Sequence, residues 1–125
     1  MSLDPNNTNI GYRLGRLFAE LEKLQIRVFT QNGGREPNST IRDKYYGSAS
    51  GTPVTVFGTL IRLSKHHLAK LEYIGERVNF EKRIGAIMEE INDFPPHLDL
   101  VNQGRFAIGY YHQMNAPKTT EMKNK

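Results

Sequence analysis

The chain has 125 residues, with 17 Lys and Arg against 13 Asp and Glu, a formal net charge of +4 and no cysteine. That length points to one domain able to bury a core without staples, and the missing cysteine excludes a disulfide framework, thiolate metal sites and cysteine nucleophiles. The missing cysteine also fits a reducing cytoplasm; apolar runs of only a few residues leave no bilayer-spanning helix, and Met1-Ser-Leu-Asp-Pro lacks the regions of a signal peptide.

Glycine and proline punctuation divides the chain into five expected helices. The first runs from about Pro5 or Thr8 to Thr30. Ile10, Leu14, Leu17, Phe18, Leu21, Leu24 and Val28 recur there at three- and four-residue spacing, and Asn32-Gly33-Gly34 ends it. A short second helix starts at Ser39 or Thr40, with Thr40 and Asp43 as a capping pair, and stops between Gly47 and Gly51. The third opens on Thr52 as cap and Pro53 in the first turn. Its apolar stripe is Phe57, Leu60, Ile61, Ser64, Leu68 and Leu71, and Gly75 lies past its end. The fourth covers about Glu76 to Asn92, burying Phe80, Ile84, Ile87, Met88 and Ile91, and Phe94-Pro95-Pro96 breaks it. The fifth begins near Asp99 with Leu100, Gly104, Ala107, Ile108 and Tyr111 on one face, and Ala116-Pro117 ends it. Strand alternation is weak throughout. The expected fold is an all-α, single-domain helical bundle of about five helices over residues 1–117, followed by a disordered basic tail over 118–125.

Charge placement carries more information than the total. At 100° per residue, Arg13, Arg16, Lys23 and Arg27 cluster opposite the apolar stripe of the first helix, with only Glu20 among them. Arg62, Lys65, His66 and Lys70 do the same on the third. Two cationic faces on a small bundle suit a phosphate backbone, which asks for charge and rough spacing rather than a motif. The plainer reading is that every amphipathic helix needs a charged solvent face. Arg42 and Lys44 beside Tyr45 and Tyr46 suit single-stranded nucleic acid, although tyrosines in such positions are more often core or interface residues.

Catalytic signals are absent. His66 and His67 point about 100° apart on a helix, which places His67 in the apolar arc and His66 on the basic side. No HExxH occurs, and Pro95-Pro96 separates Glu89, Glu90 and Asp93 from His97, so neither a metal nor another cofactor is expected. There is no phosphate-binding glycine loop and no nucleophile elbow. Gly104 and Gly109 inside the fifth helix each cost about 1 kcal/mol relative to alanine, which close approach of another helix, of RNA or of another subunit would offset.

Several segments together resemble a known family. They are Gly15-Arg-Leu-Phe-Ala-Glu-Leu-Glu-Lys23, Thr40-Ile-Arg-Asp-Lys-Tyr-Tyr-Gly47, Thr52-Pro53 with Phe57, His66-His-Leu-Ala-Lys-Leu-Glu72, Asp93-Phe-Pro-Pro-His-Leu98 and Gln103-Gly-Arg-Phe-Ala-Ile-Gly-Tyr-Tyr-His-Gln113. In that order they are similar to the C-terminal region of the large subunit of type I-C CRISPR interference complexes, from about Asn9 to Gln113. The large subunit is several times longer. In this family its C-terminal region is also made separately from an internal start, and this chain begins with Met1 just ahead of the matched helix. The resemblance therefore implies the small subunit of a type I-C Cascade, with an engineered fragment of the large subunit as the alternative. It implies a non-catalytic helical bundle in several copies, packed beside the guide-RNA backbone subunits and the large subunit. There it would help hold the guide RNA, the target DNA and the displaced strand, base pairing reading sequence while protein reads shape and charge. Under that implication Arg13, Arg16, Lys23, Arg27, Arg62, Lys65, His66 and Lys70 are the candidate nucleic-acid contacts. A purely structural spacer without nucleic-acid contact is the second expectation.

Overall fold

A computed structural model describes residues 3–116, so the expected tail over 118–125 lies outside the described residues. The chain forms an all-α bundle of five helices: α1 (Ile10–Thr30), α2 (Ile41–Gly51), α3 (Pro53–Lys70), α4 (Ile74–Met88) and α5 (Leu100–Met114), with a 3-10 turn over Gln31–Gly33. No strand occurs among the described residues.

Helix α1 is the axis of the bundle. Its expected apolar stripe is buried, with Leu14, Leu17, Phe18, Leu21 and Leu24 in the core beside Phe57, Leu60, Phe80, Ile84, Ile87 and Phe106. Burial does not stop at the stripe: Arg16, Glu20 and Glu22 are buried too. Asn9 caps the helix, its Oδ1 accepting from the Tyr12 amide at 3.0 Å, so the helix starts later than Pro5 or Thr8. Asn32 and Gly33, both with positive φ, end it as the Asn-Gly-Gly signal implies.

Helix α5 lies along α1 in the same direction. The two backbones touch at glycines: a Cβ on Gly11 would meet the Asn102 carbonyl, one on Gly15 the Phe106 carbonyl, and one on Gly109 the Tyr12 carbonyl. Close helix approach thus accounts for Gly109, whereas Gly104 faces open space. This contact also decides which side of α5 is buried. Phe106, Gly109 and Gln113 face the core. The face shared by Leu100, Ile108 and Tyr111 looks out: Leu100 is 82% exposed, Tyr111 62% and Ile108 47%. The five residues expected on one face do share one side of α5, and it is the solvent side, because α5 packs by backbone proximity and polar pairing as much as by apolar side chains.

Local capping fixes the other helices. The Asp43 carboxylate accepts from the Thr40 amide at 2.9 Å, as expected for the capping pair. Helix α2 is further tied to α1, since Gln25 Oε1 accepts from the Ile41 amide at 2.8 Å and Glu22 Oε1 from the Arg42 amide at 3.1 Å. The Thr52 hydroxyl donates back to the Ser48 carbonyl instead of capping α3. The proline segment supplies the acceptor there: the Val54 amide donates to the Pro95 carbonyl and the Leu98 amide to the Gly51 carbonyl. Phe94 stacks on Phe57 at 5.0 Å, holding that strap down. Helix α3 stops at Lys70, so Gly75 lies past its end, in the first turn of α4. Helix α4 in turn closes at Met88 rather than Asn92. Asp99 caps α5, accepting from the Asn102 amide at 2.8 Å.

Candidate functional site

The two expected cationic faces meet different fates. On α1 every candidate is engaged by protein. Helix α4 runs antiparallel to α1, and α4 with the turn just after it is joined to α1 by a ladder with rungs seven residues apart on each side. Arg13 meets Glu90 at 3.6 Å, Glu20 meets Arg83 at 2.9 Å and Arg27 meets Glu76 at 2.8 Å. Seven residues are two helical turns, so all three rungs share one edge. Arg13 Nη1 also donates to the Glu90 carbonyl at 2.8 Å and its Nε to the Asn7 carbonyl at 3.0 Å.

The middle rung is the centre of a buried polar network. Glu20 is fully buried and meets Arg83 and, at 3.5 Å, Lys23. Gln113 on α5 donates its Nε2 to Glu20 and accepts from Arg16 Nε at 2.9 Å. Removal from water, opposed by the charges of Glu90, Tyr12 and Glu20, lowers the pKa of the Arg16 guanidinium. The expectation that Arg13, Arg16, Lys23 and Arg27 form a solvent-facing cationic surface is corrected. The helix wheel found one side of α1, but that side carries α4 and α5.

On α3 the expected face is open. Arg62, Lys65, His66 and Lys70 are all exposed. Among the described residues no carboxylate lies within ion-pair distance of any of them. The same exposed stripe continues toward the start of α3 through Gly58, Thr55 and Val54, which are uncharged. The cations thus gather at the C-terminal half of the helix, where positive charge also suits the helix dipole. His67 is half-buried beside them. Burial, then the neighbouring charges of Lys70 and His66, push its imidazole below the usual range.

The aromatic pairing on α2 belongs to the core. Tyr46 meets Phe18, Phe106 and Tyr110 edge-on at 5.6, 5.3 and 5.3 Å. Arg42 lies over the Tyr110 ring at 5.9 Å. Burial, with the charge of Glu22 adding to it, pushes the Tyr110 hydroxyl up to about 12. The Tyr46 and Tyr110 rings are partly buried and pack on one another and on the core, rather than standing open as a stacking platform.

Sequence reasoning missed two exposed features. One is the apolar side of α5, with Leu100, Val101, Ile108 and Tyr111 in water. The other is Phe29, 47% exposed at the end of α1, beside His67 and Lys70 in a cleft between α1 and α3. The first had a sequence signal, the shared face of Leu100, Ile108 and Tyr111, which does not say whether that face is covered. The second had none, because it depends on where α3 ends relative to α1. No group of three or more His, Asp or Glu that could hold a metal ion occurs among the described residues. No helix there is long and apolar enough to cross a membrane.

Residues 1–117 match the family model described as CRISPR-associated protein (Cas_Csd1). No curated protein matches the chain.

Proposed function

Because this chain belongs to the Cas_Csd1 family of CRISPR-associated proteins, we propose that it is the non-catalytic small subunit of a type I-C interference complex, steadying nucleic acid through α3. One observation carries the reading: Arg62, Lys65, His66 and Lys70 form an exposed row with no carboxylate partner among the described residues. Three unpaired cations, Arg62, Lys65 and Lys70, with a histidine donor among them, can follow a phosphate backbone without reading sequence. That is what a guide-directed complex asks of its protein, since base pairing does the reading. In this role the chain packs along the guide-RNA backbone subunits and the large subunit in the cytoplasm, and supports the guide–target duplex and the displaced DNA strand. Several weak contacts from repeated copies then add through effective concentration.

A specific feature favours a second reading, that of a structural spacer. The exposed apolar side of α5, with Leu100, Val101, Ile108 and Tyr111, suits packing against another protein subunit. A spacer would use that side and leave the α3 row to solvent.

Target-DNA binding by guide-loaded complex, with and without this chain, at two salt concentrations separates the two readings. Weaker binding and a flatter salt dependence on omission support phosphate contact. Complexes that assemble and bind alike would overturn it. Failure to assemble without the chain points to the spacer.

A further inference from the structure

We propose that the cleft between the C-terminal turns of α1 and α3 holds one unstacked base of a single-stranded nucleic acid, with the base ring against Phe29 and the adjoining phosphate on Lys70. This rests on the reading of the α3 row as a phosphate track, and it adds a base-binding subsite at the end of that track.

The cleft has a volume of about 480 Å³ and is lined by Gln25, Val28, Phe29, Gln31, His67 and Lys70. That falls in the size range of small-ligand clefts, roughly 300–1,000 Å³. Its walls are fixed by hydrogen bonds. Gln31 Nε2 donates to the Lys70 carbonyl at 2.8 Å, and Gln31 Oε1 accepts from the Glu72 amide at 3.1 Å. Asn32 Nδ2 donates to the Glu72 carboxylate, joining the tight turn after α1 to the segment after α3. On the α1 wall, Gln25 Oε1 is held by the Ile41 amide.

Within this fixed frame Phe29 is the exposed ring, while its neighbour Val28 packs against the core. An aromatic face beside a row of cations is the pairing by which proteins hold single strands. Stacking needs a base freed from its own stack, which a duplex does not present. The imidazole of His67, held neutral, offers one donor and one acceptor to the edge of that base. A single histidine reads little sequence, so the subsite tolerates any base. Lys65, His66 and Arg62 carry the backbone on along α3.

The test uses the purified full chain and two labelled probes, a short oligothymidylate and a mixed-sequence duplex. Replacing exposed Phe29→Ala should weaken oligothymidylate binding about tenfold, the scale of losing one stacked base. Duplex affinity and the salt slope should stay as they were, and Phe29→Trp should retain binding. Arg62→Glu with Lys65→Glu, both outside the cleft, should weaken both probes and flatten the salt dependence. If Phe29→Ala binds oligothymidylate as the parent does while the charge reversal weakens both probes, the base subsite falls and the phosphate track stands. Equal weakening of both probes by Phe29→Ala would mean a structural role for the ring and would also overturn the subsite. A charge reversal without effect, or a parent chain that binds neither probe, removes the track and the subsite together.

Discussion

Helices α1 and α3 carry nearly the same pattern of basic residues, yet only α3 leaves them open to solvent. Arg13, Arg16, Lys23 and Arg27 on α1 are spent on Glu90, Gln113, Glu20 and Glu76. Arg62, Lys65, His66 and Lys70 on α3 face water with no carboxylate partner among the described residues. Position in the bundle makes the difference. Helix α1 is surrounded, so its polar residues must find partners or be left buried at high cost. Helix α3 lies at the edge, so its outer side has no such demand. A helix wheel tells which residues share a side. It does not tell what lies against that side.

The sharpest way to break the comparison is to remove the centre of the α1 network. Glu20→Ala leaves Arg83, Lys23 and Gln113 without their shared acceptor in a buried site. Arg83 and Lys23 keep access to water, so the cost is mainly that of the buried Gln113 amide left without its acceptor, about 1–3 kcal/mol, still a sizeable part of the stability of a domain this size. Urea unfolding should show that loss with the slope little changed. A cost below about 1 kcal/mol would mean the network is well solvated, and the contrast with α3 would weaken.

The opposite test acts on α3. Reversing Arg62, Lys65 and Lys70 to Glu should leave stability within about 0.5 kcal/mol, as for surface sites without partners. Binding of DNA by the assembled complex should weaken, and the magnitude of the salt slope should fall by about 2 to 3, close to one per lost phosphate contact. Unchanged DNA binding by a folded triple variant would reduce the α3 row to an ordinary solvent face.

Much of this was legible in the sequence, for local reasons. Thr40 with Asp43, Asp99 and the Asn-Gly-Gly stop act within one turn of chain, so their residues announce the helix ends they make. The α3 face was legible because no other described part of the chain packs on it. The α1 side was misread because its partners are far away in sequence. Even so, a signal was present: Arg13, Glu20 and Arg27 alternate in sign at seven-residue spacing, and Glu76, Arg83 and Glu90 repeat that spacing with the signs inverted. Two such complementary rows mark two segments that can pair, although the symmetric pattern fits either direction and does not by itself say antiparallel. The buried side of α5 was harder. Its contacts use Gly109, Gln113 and backbone carbonyls, which no hydrophobic periodicity reports.

A gentler test targets an outer rung of the ladder. Arg27 and Glu76 are each about one-third exposed, so their pair is screened by water. Arg27→Glu alone places two carboxylates together and should lower stability by about 1 kcal/mol. Adding Glu76→Arg should restore most of it, with a coupling of roughly 0.2–1 kcal/mol, the range of measured exposed pairs. No recovery in the double variant would show that the rung is an incidental proximity and that Glu20 alone ties α1 to α4.

The smallest effect comes from His67, where the crowded and the open regions meet. Burial, then Lys70 and His66, lower its pKa in the folded chain. The unfolded chain therefore takes up its proton first as pH falls. Stability from this group is complete above the ordinary histidine range and is lost as pH drops through it toward the lowered folded value. Unfolding midpoints should fall between pH 7.5 and 5, and His67→Gln, which keeps a neutral polar side chain, should make that fall shallower. If the parent and the variant lose stability in parallel, the acid sensitivity belongs to other groups and His67 is as well hydrated as the cations around it. If the variant is flatter, the cleft wall beside Phe29 excludes water as the geometry implies, and the neutral imidazole assigned to base contact is the species present near neutral pH.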